Sequence, residues 1–350
     1  MDIKNYEKNS IEILQFLEKE KEKAKLELTS NANSEHLITI NEMPFKLLSN
    51  GTKGYAYILH NAGYEVKISQ FKSKIKNFMP IQIRISAEYL WSKGLIKSWN
   101  IITNWIELTF GTIEENKISR VDLCMHTSDM DFIKEYGTSY KGKFKKDSVN
   151  VINYTNKKIN SITFGTRKGK NIYCRIYNKS LEIKETKTKS WFNHIWKHNN
   201  LDINNVWNLE FELKSEFLRE FKIRTVEDLE KSLKDIWKYC TEQWLVKIDK
   251  TNARVERCKI NEQWIEVQGA YNDFKSVGLI KREKQLQMDA DVLIPNIIGN
   301  ITSYSARKNI FDIDMAFKDL YNNSKKYLKT KQTSFEKETR NKLHNLKESR

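Results

Sequence analysis

The chain has 350 residues, and its 61 Lys and Arg against 45 Asp and Glu give a formal net charge of +16. That length suits two or three domains with a sizeable core; the excess of cations points to a polyanionic partner, nucleic acid first, although a lysine-rich coding bias gives a similar lean toward Asn, Ile and Lys. No stretch approaches the ~18 apolar residues of a membrane span, Met1 to Lys25 lacks an apolar signal-peptide core, and the four cysteines form no C-x-x-C pair of a zinc ribbon, so a cytoplasmic protein with no membrane partner is expected.

In chain order, residues 5–28 predict a charged amphipathic helix within a helical N-terminal segment, 1–42. Strands are expected near 53–59 and 64–70, joined at the turn sequence His60-Asn61-Ala62-Gly63. A third strand near 78–86 leads into a tryptophan-rich helix, 87–110, that stops at Gly111. The next strand covers 117–127, and 128–158 reads as a polar, lysine-rich insertion. A hairpin follows, with 161–165 and 171–179 flanking Thr166-Arg167-Lys168-Gly169-Lys170. Residues 186–200 read as a helix and 206–214 as a strand. Helices are expected at 216–222 and 225–248, the second opening on a Thr225-Val226-Glu227-Asp228 capping signal. The remainder, 262–350, reads as helical with a break at Pro295.

A weak internal repeat runs through this pattern. One unit passes from Ile81–Ser86 through a helix to Ile118–Asp122, the other from Tyr173–Tyr177 through a helix to Val206–Glu210. The expected fold class is therefore α+β. It has a mainly antiparallel sheet from two related strand–helix–strand units, about 50–127 and 160–215. These lie in a central region, 43–250, with a helical C-terminal region, 251–350. Pairing the units side by side brings Asp122 toward Glu210.

Alternation in Asn171–Lys179 places Tyr173, Arg175, Tyr177 and Lys179 on one strand face. A face with two phenols and two cations is a poor core and a good phosphate-handling surface. In the strand near 206–214, Glu210 and Glu212 share a face, with Leu209, Phe211 and Leu213 on the other. Asp122, Glu210 and Glu212 offer the oxygen ligands that Mg²⁺ or Mn²⁺ prefers. Tyrosine has a pKa of about 10, and Arg175 and Lys179 are expected to favour its phenolate. Together these residues suggest metal-assisted phosphodiester cleavage. The competing reading is a solvated sheet face with cross-strand ion pairs. The residues alone leave Tyr177 and Tyr173 equivalent.

Other features carry less. His194 and His198 have zinc-compatible i, i+4 spacing, but the zincin glutamate is missing and no His-hydrophobe-His triplet exists, so surface histidines are favoured. His126 falls on the Asp122 face. The loop bearing Arg167, Lys168 and Lys170 lacks the Walker A pattern and suits either contact with DNA phosphates or simple solvation. Trp91, Trp99, Trp105, Trp237 and Trp244 take apolar helical positions and read as core. Some of Trp191, Trp196, Trp207 and Trp264 are candidates for stacking on unpaired bases, with core the favoured use for most.

Four segments in order resemble the rolling-circle replication initiation factors of plasmids and integrative elements: Ile118–Asp122, Phe164–Gly169, Arg175–Lys179 and Trp207–Glu212. The resemblance covers about 50–250. It departs at Asn208, where an arginine is common, and at His126, where an acid is often seen. It implies a nickase that cuts one strand through a tyrosine and stays joined to the 5′ phosphate. By it, Tyr177 is the nucleophile, aided by Arg175 and Lys179. Asp122 and Glu210 are metal ligands, and Glu212 is a third ligand or a base. From their charge, Arg120, Arg167, Lys168 and Lys170 are expected to contact DNA. The expected partners are origin duplex and single-stranded DNA, with a host helicase and a second copy of the chain as further candidates. The alternative is a DNA-binding regulator that keeps the fold without cleavage.

Overall fold

The computed structural model describes residues 1–30, 35–71, 78–133, 137–144, 149–154, 158–167, 171–278 and 294–348. The chain divides into two units, Met1–Ile280 and Lys281–Arg350.

The first unit opens with a short strand, β1 (Asp2–Ile3), and helices α1 (Tyr6–Asn9) and α2 (Ile11–Ser30). Strands β2 (Leu37–Ile40), β3 (Met43–Leu47), β4 (Tyr57–His60), β5 (Tyr64–Ile68) and β6 (Ile81–Ile85) then form an antiparallel meander, β2-β3-β4-β5-β6. The β4–β5 turn lies where expected, with the Asn61 side chain accepting from the Gly63 and Tyr64 amides. β2 falls inside the segment expected to be helical. Its Leu-Ile-Thr-Ile run is too short to show a period, and pairing with β3 decides its state.

The single helix expected over 87–110 is two helices, α3 (Ala87–Lys93) and α4 (Leu95–Phe110). Gly94 separates them at φ 77°, in a region that side chains with a Cβ rarely enter. Ser86 caps α3 by accepting from the Tyr89 amide. α4 buries Ile102, Trp105, Ile106 and Phe110 in the core of the first sheet, with Val66, Ile68 and Ile81. Beyond β7 (Ile113–Glu115), which pairs with β1, the chain enters a second sheet.

That sheet comprises β8 (Arg120–Thr127), β10 (Asn150–Tyr154), β11 (Lys158–Phe164), β12 (Ile172–Asn178) and β13 (Trp207–Lys214), in the order β10-β11-β12-β13-β8. Each neighbouring pair is antiparallel. The α+β class stands, but the two repeat units do not lie side by side in one sheet. β6 belongs to the first sheet and β8 to the second, so the first strand–helix–strand unit links two sheets. The described residues of the expected insertion supply β9 (Tyr140–Gly142) and β10.

Between β12 and β13 lie α5 (Lys179–Thr186) and α6 (Phe192–His198). α5 starts earlier than the expected helix because Asn178 caps it, accepting from the Leu181 amide at 2.9 Å. After β13 come α7 (Ser215–Glu220) and α8 (Val226–Tyr239). The expected capping box is present: Thr225 accepts from the Asp228 amide at 3.2 Å, and Asp228 accepts from the Thr225 amide at 3.0 Å. α8 gives way to a π-helical turn, Cys240–Trp244, and to β14 (Leu245–Lys247), which pairs with β9. Gly142 makes that pairing possible, since a Cβ there would lie 2.0 Å from the Trp244 carbonyl oxygen. Leu209, Phe211 and Leu213 join Phe217, Trp237 and Trp264 of α9 (Glu262–Gly269) in the second core. Phe211 meets the Trp237 ring edge-on, with centroids 5.6 Å apart. One face of the second sheet is thus covered by helices, and the polar residues occupy the other.

The second unit holds α10 (Ile294–Lys308), α11 (Ile313–Thr330) and α12 (Phe335–Glu348). Asp312 caps α11 by accepting from the Met315 amide. Pro295 does not break a helix. It sits in the first turn of α10, where a missing N–H forfeits no intrahelical bond.

Candidate active site

Directly opposed residues of an antiparallel pair project to the same face, so register builds the site. Three rows cross β12, β13 and β8: Tyr177–Asn208–His126, Arg175–Glu210–Cys124 and Tyr173–Glu212–Asp122. Ser161 and Thr163 on β11 extend the first two rows. The strand face read from sequence holds for Tyr173, Arg175 and Tyr177, whereas Lys179 lies beyond the strand as the first residue of α5, and Asp122 opposes Glu212, one row away from the expected Glu210. A two-residue change of register preserves the facing and moves the neighbour, and no local pattern encodes it.

The acids are matched by arginines. Arg120 holds both oxygens of Asp122, its Nε donating at 2.7 Å and Nη2 at 2.5 Å. Arg120 Nη2 and Arg167 Nε each lie 3.3 Å from Oε2 of Glu212, ion pairs without hydrogen-bond geometry around a buried carboxylate. Arg175 Nη2 donates to Glu210 Oε1 at 2.9 Å. Among the described residues no three His, Cys, Asp or Glu side chains group as a metal site. A hard cation needs several converging oxygens; here each carboxylate faces a guanidinium instead, so the donor set as it stands does not fit Mg²⁺ or Mn²⁺.

Tyr177 is 9 % exposed. Its phenol oxygen accepts from Asn208 Nδ2 at 2.9 Å and from Lys179 Nζ at 3.2 Å. The Arg175 guanidinium lies 4.5 Å from its ring centroid, a cation–π contact. Lys179 is itself buried, at the first position of α5, with Nζ 2.5 Å from Glu182 Oε2. Burial pushes the Tyr177 phenol above its ordinary range, and the charges of Glu210 and Glu182 add to the rise; Arg175 and the Asn208 hydrogen bond oppose it only in part. Arg175 acts in the expected direction, favouring the phenolate, but burial outweighs it. Lys179 donates both to the phenol oxygen and to Glu182; burial lowers its pKa, and Glu182 offsets that only in part.

Tyr173 differs. It is partly exposed, with Arg167 5.0 Å from its ring centroid. Arg167 is exposed in the loop after β11; Lys168 and Lys170 lie outside the described residues. The structure thus groups Tyr177, Arg175, Lys179 and Glu210, and beside them Asp122, Glu212, Arg120 and Arg167. Sequence reasoning missed Asn208 and Glu182 as partners of this group. Asn208 shares strand parity with Glu210, and Glu182 stands three residues after Lys179, one helical turn.

His126 is no free ligand. Its Nδ1 accepts from Trp196 Nε1 at 3.0 Å, and burial, with Lys179 nearby, lowers its pKa to about 4. His194 and His198 are exposed on α6, as expected. Among the tryptophans, Trp105, Trp237 and Trp244 are core, but Trp91 is 42 % exposed. Of the stacking candidates, Trp196, Trp207 and Trp264 are buried.

No described helix is long and apolar enough to cross a membrane. No family model matches the sequence, and no curated protein matches it. Among solved structures, the chain is similar to a rolling circle replication initiator protein from Geobacillus stearothermophilus. The two are 15% identical over 68% of this chain and 85% of that chain, with a TM-score of 0.44.

Proposed function

We propose that this chain is a DNA replication initiator of the rolling-circle type that nicks one strand through Tyr177. The observation that carries the reading is the cationic setting of one phenol oxygen. It accepts from Lys179 and Asn208, under Arg175, on a sheet face where Arg120 and Arg167 add further charge. A chain of net charge +16 supplies the long-range attraction for DNA. The motif resemblance assigns the same tyrosine.

In this reading the phenol oxygen attacks a backbone phosphorus. The bond from phosphorus to the 3′ oxygen breaks, and a 5′-phosphotyrosine link forms. One proton passes in balance from the phenol to the leaving 3′ oxygen. A phenol whose ionisation is disfavoured loses its proton as the new bond forms rather than beforehand. Guanidinium groups neutralise the charge that gathers on the phosphate oxygens. The freed 3′ hydroxyl primes synthesis, and the reverse attack religates the strand. Asp122, Glu212 and Glu210 would hold Mg²⁺ or Mn²⁺ only if released from Arg120, Arg167 and Arg175, and the ion would then supply charge stabilisation at the scissile phosphate.

One observation favours the second reading, a DNA-binding regulator without cleavage: the acids are already paired and the phenol is buried. The discriminating experiment incubates the protein with supercoiled and single-stranded DNA, with and without Mg²⁺ or Mn²⁺. A covalent protein–DNA adduct mapped to Tyr177 supports nicking. Salt-sensitive binding with no adduct under any condition supports the regulator.

A further inference from the structure

Trp91 is a large aromatic side chain near the site that stays substantially exposed. It is 42 % exposed on α3, a helix with no buried residue. One ring face lies on the His126 imidazole, with centroids 5.4 Å apart and planes 6° from parallel. Phe192 meets it edge-on at 5.7 Å. The imidazole beneath is locked, since Nδ1 accepts from Trp196 Nε1. The indole thus lies parallel to a fixed imidazole, offset from it, and stays partly exposed to solvent.

Its position gives it meaning. Phe192 lies 5.4 Å from Lys179 Nζ, which donates to the Tyr177 phenol at 3.2 Å. His126 stands in the same cross-strand row as Tyr177. An exposed indole thus borders a cationic, phosphate-handling site, and Lys197 and His198 are exposed on the helix that supplies Phe192 and Trp196. Flat π-faces alternating with cations are what an unpaired strand requires, because bases stack and phosphates pair with charge.

We propose that Trp91 is a stacking platform for an unpaired nucleobase of single-stranded DNA held beside Tyr177, an inference that rests on the nicking reading of that site. It positions the strand and takes no part in bond making.

The test measures affinity of the full chain for fluorescent oligo(dT) and for a duplex of equal length, across a salt series, in wild type, Trp91→Ala and Trp91→Phe. Stacking on an aromatic contributes enough that Trp91→Ala should weaken oligo(dT) binding roughly ten-fold, with most of the loss restored by Trp91→Phe. The salt slope should not change, because an indole releases no counterions. Duplex affinity should hold, which also reports that the variant is folded. Unchanged oligo(dT) affinity in Trp91→Ala overturns the proposal. So does a loss shared by the duplex, or a slope that falls with affinity. Adduct formation is scored separately: wild-type protein that binds oligo(dT) through Trp91 yet forms no Tyr177 adduct counts against nicking and not against stacking.

Discussion

Asn208 and Tyr177 oppose one another on adjacent strands, and the Asn208 amide donates to the Tyr177 phenol oxygen at 2.9 Å while also reaching Glu210 Oε2 at 3.2 Å. One side chain thus ties the proposed nucleophile to Glu210. The bond lowers the phenol's pKa against the larger effect of burial.

Tyr177→Phe removes only the oxygen that accepts these bonds. Leaving the Asn208 and Lys179 donors short of a partner costs about 1–3 kcal/mol, so the fold and DNA affinity should survive. The covalent adduct should vanish. Mass mapping of the adduct in wild type, Tyr177→Phe and Tyr173→Phe checks this; loss only in Tyr173→Phe moves the nucleophile to the neighbouring row.

Arg120 occupies the position from which a cation would be expelled. Arg120→Gln frees Asp122 and relieves Glu212, so Mn²⁺ should bind the variant more tightly than wild type. Calorimetric titration of both proteins with Mn²⁺ reads this directly. Equal binding means that the Asp122 and Glu212 carboxylates are not a latent metal site. Asp122→Ala should abolish the gain if those oxygens are the ligands. Nicking undiminished in EDTA would exclude metal assistance.

His126 gives the fold an acid-sensitive point. Its folded pKa, about 4, lies below the ordinary 6.5 because burial disfavours the charged ring. A depressed pKa means stability that is complete above 6.5 and is lost as pH falls toward 4. The shift corresponds to up to about 3 kcal/mol. His126→Gln keeps an acceptor for Trp196 and removes the titration. Urea unfolding at pH 7, 5 and 4 should show a smaller fall in the variant, and parallel falls would clear His126 of the effect.

The loop after β11 should hold DNA by charge. Replacing Arg167, Lys168 and Lys170 together with Ala should flatten the salt dependence of duplex binding by up to about three contacts, each with a slope of about −0.9. Arg167→Ala alone should remove one contact or none, since Glu212 already engages that side chain. Sequence preference should stay, because phosphate contacts position without reading bases. A salt titration on origin and non-origin duplexes measures both; an unchanged slope in the triple variant places the loop away from DNA.

What the sequence alone determined about this protein is local. Period-two alternation grouped Tyr173, Arg175 and Tyr177 on one face of their strand and Glu210 with Glu212 on one face of theirs, since pleating sends alternate side chains to opposite sides. The Asn61 turn and the Thr225–Asp228 capping box were legible because each is built from neighbours in the chain. Tertiary structure decided the rest. It separated β6 and β8 into different sheets, and it set Asp122 against Glu212 rather than Glu210. Strand pairing and register are long-range choices that the whole core selects. It also raised the pKa of the Tyr177 phenol, because burial, and not the adjacent cations in the sequence, is the larger effect there.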